Sequence, residues 1–214
     1  MPQTLAQKIL QAHTDDVIER DGQIVQCRLS LVLANDITGP LAIKSFKGMG
    51  ASRVFDKDKI ALVMDHFTPQ KDIASANQVM ISRQFAQEQG ITHYYEGGDC
   101  GVEHTLLPER GLVGPGDVVI GADSHTCTYG GIGAFATGMG STDIAAGMAL
   151  GETWIKVPPT IRVNINGQMP KWLRGKDLML LLIKTIGVDG ALYRSLEFTG
   201  DGVAALSMDD RLCI

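Results

Sequence analysis

Three stretches of this chain place histidine beside carboxylate: Asp65-His66, Glu103-His104 and Asp123-Ser124-His125. An imidazole next to an acid suits proton transfer or metal binding, because the carboxylate fixes the ring tautomer and stabilises its protonated form. Each stretch follows an apolar run: Ile60 to Met64, Ile91 to Tyr95 with a short loop after it, and Val118 to Ile120. Runs of this length and type, bounded by Gly and Asp, read as buried strands. Adjacent parallel strands lie about 4.8 Å apart, so three such strand ends can bring their loops to one pocket. A single histidine of this kind is more often an ordinary hydrogen-bonded loop residue, and only the threefold recurrence favours a site. His13 and His93 lack such a context and read as structural.

Other chemistries fit less well. Asp123, Ser124 and His125 are consecutive, and along an extended stretch their side chains alternate in direction, so they do not make a hydrolase triad among themselves. The G-x-S-x-G elbow is absent. A zinc site built from His66, His104 and His125 has no H-E-x-x-H or paired-cysteine spacing behind it. Gly131-Ile-Gly-Ala-Phe-Ala136 matches the dinucleotide pattern weakly, too far beyond its strand for the tight turn that pattern needs. Cys100 and Cys127 flank the histidines and read as small buried thiols. Arg110, Arg53 and Lys44 are candidates for holding a carboxylate, with solvated surface roles the commoner alternative.

The elements that must carry these residues are legible as alternating strand, loop and helix. A first helix spans Thr4 to Ala12 with Thr4 as N-cap, and Asp21-Gly22 turns the chain into a short strand at Ile24 to Arg28. Leu29 to Ala34 is a buried strand, and a helix starts near Pro40. Asp72 to Gln89 is the longest helix, ended by Gly90, and Ser141 to Leu150 is another. This alternation predicts a three-layer α/β/α sandwich with a mainly parallel sheet over residues 1–155. Lys156-Val-Pro-Pro159 reads as a linker. Beyond it, residues 156–214 read as the incomplete beginning of a second α/β domain, with a strand at Thr160 to Asn166 and an apolar helix at Lys176 to Ile186 that needs burial.

Composition narrows the function classes. With 214 residues and 44% hydrophobic content the chain can build a core, while a net charge of -5 and no basic run argue against a nucleic-acid partner. Four cysteines without a C-x-x-C pair fit a reducing compartment. With no run of eighteen apolar residues and a mixed N-terminus from Met1 to Ala12, the expectation is a cytoplasmic protein without a membrane span.

At these residues the sequence resembles the aconitase superfamily, in particular the shorter type of dehydratase large subunit. The matching stretches are Val63-Met-Asp-His66, Gly101-Val-Glu-His104 with Leu-Leu-Pro-Glu-Arg-Gly111, Gly121-Ala-Asp-Ser-His-Thr126 and Gly138-Met-Gly-Ser-Thr-Asp143. Leu196-Glu-Phe-Thr-Gly200 and Leu206-Ser-Met-Asp-Asp-Arg211 extend the likeness over nearly the whole chain. The resemblance implies dehydration and rehydration of a 2-hydroxy di- or tricarboxylate at a 4Fe-4S cluster. The expected substrate is 3-isopropylmalate in leucine biosynthesis, with homoaconitate or a dialkylmalate as alternatives.

Carried over by position, Asp65 and His66 match a pair whose histidine protonates the leaving hydroxyl, and His104 matches a second active-site histidine. Asp123, Ser124 and His125 match the group that contacts substrate and neighbouring catalytic residues, with Thr126 beside them at the substrate. The family's cluster cysteines, serine base and carboxylate-binding arginines have no counterpart in the 214 residues, and some of these groups belong to a separate small subunit. The resemblance is therefore to the N-terminal half of a large subunit, inactive on its own. The rival reading is a binding or assembly domain without catalysis.

Overall fold

A computed structural model describes residues 3–214. Helix α1 (Leu5–Ala12) leads to β1 (Ile24–Arg28), β2 (Leu31–Asn35), α2 (Gly39–Gly48), β3 (Ile60–Val63), α3 (Ile73–Gln89) and β4 (His93–Tyr95). Then follow α4 (Glu103–Glu109), β5 (Val118–Gly121), a 3-10 turn at Thr126–Ile132, β6 (Phe135–Gly138), α5 (Ser141–Leu150) and β7 (Glu152–Lys156). Strands β4-β3-β2-β5-β6 form one parallel sheet in that order. Val32 pairs with Ile60 on one side and Ile120 on the other, which makes β2 the central strand.

The alternation of side chains across these strands builds the layers. Val32, Ala34, Ile60, Leu62 and Ile120 face a core completed by α2, α3 and α5, where Phe46 and Phe85 meet edge to face. Leu31, Leu33, Ala61, Val63 and Val119 face the opposite way, against Leu106 and Leu107 of α4 and Tyr129. Both faces are covered, which is why the strands read as unbroken apolar runs, and the arrangement is the three-layer α/β/α sandwich expected. Helix α3 forms between its own signals: Asp72 accepts the Ser75 N–H at 2.8 Å, and Gly90 stops the helix at φ 67°.

Two strands differ from the sequence reading. The Ile24–Arg28 strand forms, but it pairs antiparallel with β7 as a separate ribbon beside the main sheet. Phe135–Gly138, which overlaps the glycine pattern Gly131–Ala136 and carries no strand expectation, is the edge strand β6 paired with β5.

Beyond the Val157-Pro-Pro159 link, β8 (Thr160–Asn164) and β9 (Ser195–Thr199) pair in parallel, accompanied by α6 (Gly175–Ile186), α7 (Asp201–Ala204) and α8 (Met208–Cys213). Gly175 is the only buried residue of α6, and Leu180 and Leu181 are 55% and 59% exposed. The Thr128 hydroxyl donates to the Leu212 carbonyl at 2.6 Å, tying α8 to the 3-10 turn. Among the described residues no helix is long and apolar enough to cross a membrane.

Candidate functional site

From β2 the chain builds outward to β3 and β4, then returns to add β5 and β6 on the other side. Loops diverge at such a reversal, leaving a crevice at the carboxyl ends of the strands where ligands bind. Asn35 and Asp36 leave β2 there, Asp65 and His66 follow β3, and Asp123 to His125 follow β5. Glu103 and His104, expected in a loop, open helix α4 instead. Val102 gives that helix no side-chain cap; the Glu103 N–H donates to Asp65 Oδ2 at 2.7 Å, so the carboxylate arrives from the end of another strand.

The three histidines are held differently. His66 Nδ1 lies 2.7 Å from Asp65 Oδ1, which assigns the proton on that nitrogen and leaves Nε2 free, 3.9 Å from Asp123 Oδ2. Buried Asp36 fixes the backbone at the same place, accepting the N–H of His66 at 3.1 Å and of Phe67 at 2.7 Å. His104 Nε2 lies 2.9 Å from Asp123 Oδ1, and its ring packs edge-on against Tyr129 with centroids 5.6 Å apart. His125 is 80% exposed.

Ser124, His125 and Asp123 do come together, because residues 122–125 turn rather than run extended. Ser124 Oγ at 3.2 Å and Asp123 Oδ1 at 3.4 Å both address His125 Nδ1, so the ring cannot relay a proton from one to the other. The hydrolase reading fails on that shared nitrogen rather than on side-chain direction.

Burial and mutual repulsion set the electrostatics. Glu103 is fully buried, and desolvation together with the Asp65 charge raises its carboxyl to about 8. Burial would also raise Asp123, but the His125 N–H and the His104 ring outweigh it, and its value falls below the usual carboxylate range. Asn35 completes the framework: its Oδ1 accepts from the Ile37 and Thr38 N–H groups and the Thr38 hydroxyl, while Nδ2 donates to Glu103 Oε1 at 3.1 Å. Sequence reasoning passes over Asn35, Asp36 and Tyr129, and reaches Glu103 only as the acid beside His104. Asn35 and Asp36 follow an apolar run just as Asp65 does, and that rule alone would have flagged them.

A cleft of about 500 Å³ opens beside Asp123 and Ser124, lined also by Cys127 and Thr137 to Gly140. Two glycines allow its tight wall. A Cβ on Gly121 would lie 2.0 Å from Thr126 Oγ1, and one on Gly138 would lie 2.5 Å from the Asp123 carbonyl. Thr126, expected beside the substrate, is buried, and its hydroxyl donates to the Asp123 carbonyl at 2.8 Å. It holds the turn.

The expected carboxylate-binding cations do not converge here. Arg110 stacks over Tyr95 at 5.7 Å, Lys44 lines a groove between α2 and α3, and among the described residues no lysine or arginine pairs with Asp36, Asp65, Glu103 or Asp123. His66, His104 and His125 do not form a three-histidine metal set; the compact groups are mixed, such as His66 with Glu103 and Asp123. No cysteine joins any compact group of three ligand-type side chains among the described residues, so they offer no thiolate cradle for a 4Fe-4S cluster. Buried Cys27 and half-buried Cys100 are inert by position, each raised to about 11 chiefly by burial.

The chain belongs to the aconitase family: the model of the aconitase family (aconitate hydratase) matches residues 7–214. Within it, the chain is similar to the 3-isopropylmalate dehydratase large subunit of Desulfovibrio desulfuricans, 83% identical over 212 residues, covering 99% of this chain and 50% of that protein. It is similar also to proteins of that name from Nitratidesulfovibrio vulgaris, at 73% identity, and Acetivibrio thermocellus, at 59%, each covering 100% of this chain and 51% of the relative. The chain spans about half the length of the curated relatives it matches.

Proposed function

We propose that this chain carries the proton-handling side of a hydro-lyase site that acts on 3-isopropylmalate in leucine biosynthesis. The observation that carries the reading is the mounting of His66: one ring nitrogen is locked on Asp65, and the other is turned toward Asp123 at the strand ends. Hydroxide is a poor leaving group at neutral pH, and an acid placed at the breaking C–O bond lets it depart as water. In this reading His66 acts as the imidazolium: Asp65 holds its Nδ1–H, and the ring gives its Nε2 proton to the departing hydroxyl, which leaves as water while the ring becomes the neutral Nδ1–H form. The C–H proton on the neighbouring carbon goes to a base outside this set. Asp123 and His104 form the wall against which the hydroxy acid is oriented, and Ser124 and exposed His125 supply hydrogen bonds to it.

Two partners follow from the same reading. Four carboxylates without a neighbouring lysine or arginine do not attract a dianion, so the substrate's carboxylates are held by groups of a small subunit. The relatives' designation as large subunits supports this. A 4Fe-4S cluster belongs to the assembled enzyme and is held by cysteines other than those described. Residues 1–155 are assigned to the site-bearing unit and 156–214 to the start of a second one, and the assembled enzyme is placed in the cytoplasm.

The test is turnover by the protein that contains this chain, assembled with its small subunit, on isopropylmalate, homocitrate and a dialkylmalate. Fastest formation of the unsaturated acid from isopropylmalate is expected. No turnover on any of them would sink the proposal and leave the binding-module reading.

A further inference from the structure

Glu103 stands apart from the other acids of the cluster. It is completely buried, Oε1 accepts from Asn35 Nδ2, and Oε2 has no partner. Its backbone joins two more elements, the N–H donating to Asp65 and the carbonyl accepting from the Tyr129 hydroxyl at 3.1 Å. Oε1 is 3.6 Å from His104 Nε2. The groups around it are Asn35 and Asp36 from the end of β2, Asp65 and His66 after β3, His104 on its own helix, Asp123 after β5, and Tyr129. Three of them are carboxylates, and none is a lysine or arginine.

An ionised Glu103 would put a fourth negative charge here with one oxygen unsatisfied and dry. A neutral acid leaves only an unmade hydrogen bond, a far smaller cost. We propose that Glu103 is a positioning residue that works as an uncharged acid, holding Asn35 and the first turn of α4, and so His104, against Asp123 without adding charge to a site that must admit a dianion. Burial beside Asp65 pushes its carboxyl in the direction this requires. The substrate part rests on the hydro-lyase reading; the neutral state of Glu103 does not.

Two measurements test it. In the unfolded chain a glutamate gives up its proton near pH 4.3, whereas the folded one keeps it to about 8. The stabilising contribution is therefore complete below the unfolded value and is lost as pH rises through the folded value. The melting temperature should fall from about pH 5 to about pH 8 more steeply in the native chain than in Glu103→Gln. Equal slopes would overturn the proposal.

In the assembled enzyme, Glu103→Ala should lower kcat/KM by about tenfold to a hundredfold, with Glu103→Gln restoring most of it. KM should climb above about pH 8 in the native enzyme and stay level in Glu103→Gln, because only the native residue can acquire charge. A glutamine variant no better than alanine, or one with the native climb in KM, would also overturn the proposal. An assembly that turns over no hydroxy acid would refute the hydro-lyase reading, while the melting slopes would still decide the state of Glu103.

Discussion

His104 Nε2 and Asp123 Oδ1 stand 2.9 Å apart, one carried on the first turn of α4 and the other on the turn after β5. Asp123 also accepts the His125 N–H at 2.7 Å and faces His66 across 3.9 Å, so one carboxylate organises all three histidines.

Replacing Asp123 should therefore act on stability as well as chemistry. Asp123→Asn keeps the shape but loses a charged acceptor, and should cost about 1.5 to 3 kcal/mol at pH 7. The hydrogen bonds from the His125 N–H and His104 hold the native carboxyl below its ordinary range despite its burial. Its stabilisation is thus present above about pH 4 and lost as pH falls through the folded value. Urea unfolding at pH 7 and pH 3 should show a large gap between native and variant at the first and a small one at the second.

His66→Ala should remove the proton donor and leave the fold intact. A kcat loss of about 100-fold to 10,000-fold is expected in the assembled enzyme, with KM little changed. A variant that keeps native kcat would move the acid elsewhere.

The cleft wall gives a steric test. A methyl at Gly138 would sit 2.5 Å from the Asp123 carbonyl, which is backbone and has little room to move. Gly138→Ala should cost about 1 to 3 kcal/mol by overpacking, and should raise KM through displacement of the Asp123 turn. Gly111→Ala, where nothing lies within 4 Å of the added carbon but φ is 70°, controls for backbone strain alone.

Helix α6 leaves Leu180 and Leu181 in solvent, and Trp172 before it and Val188 after it in the chain are exposed as well. The chain expressed by itself should bind an apolar dye well above the level of an ordinary compact domain, and Leu180→Glu with Leu181→Glu should lower that signal. Native-level dye binding in the double variant would place the apolar surface elsewhere.

The sheet was legible because β2, β3 and β5 are covered on both faces and so read as continuous apolar runs, and α3 because Asp72 and Gly90 announce its ends. Strand β6 was not, since Phe135-Ala-Thr-Gly is short, ends in glycine, and becomes a strand only through pairing with β5. Of the site, the histidines and the acids next to them could be read from local pattern. Glu103 could be seen as a neighbour of His104, but its burial depends on Asn35, 68 positions away, and no local signal encodes that. Thr126 shows the converse: its place in a motif says nothing about which way its hydroxyl turns, which the structure gives as toward the Asp123 carbonyl.

The strand order has a kinetic consequence. β2 lies at the centre of the sheet, yet its partner β5 is far along the chain: Ser30 Oγ accepts from the Val118 N–H across 88 positions. A nascent chain can form β2, β3 and α3 early, but one side of β2 stays open until Val118 and Val119 have emerged. Pairings this distant in sequence close slowly because the loop entropy is lost before the contacts are gained. Asp123, the residue on which the three histidines depend, is thus delivered with the last strand needed to shut the centre of the sheet, and an exposed β2 edge is the interval in which aggregation competes with folding.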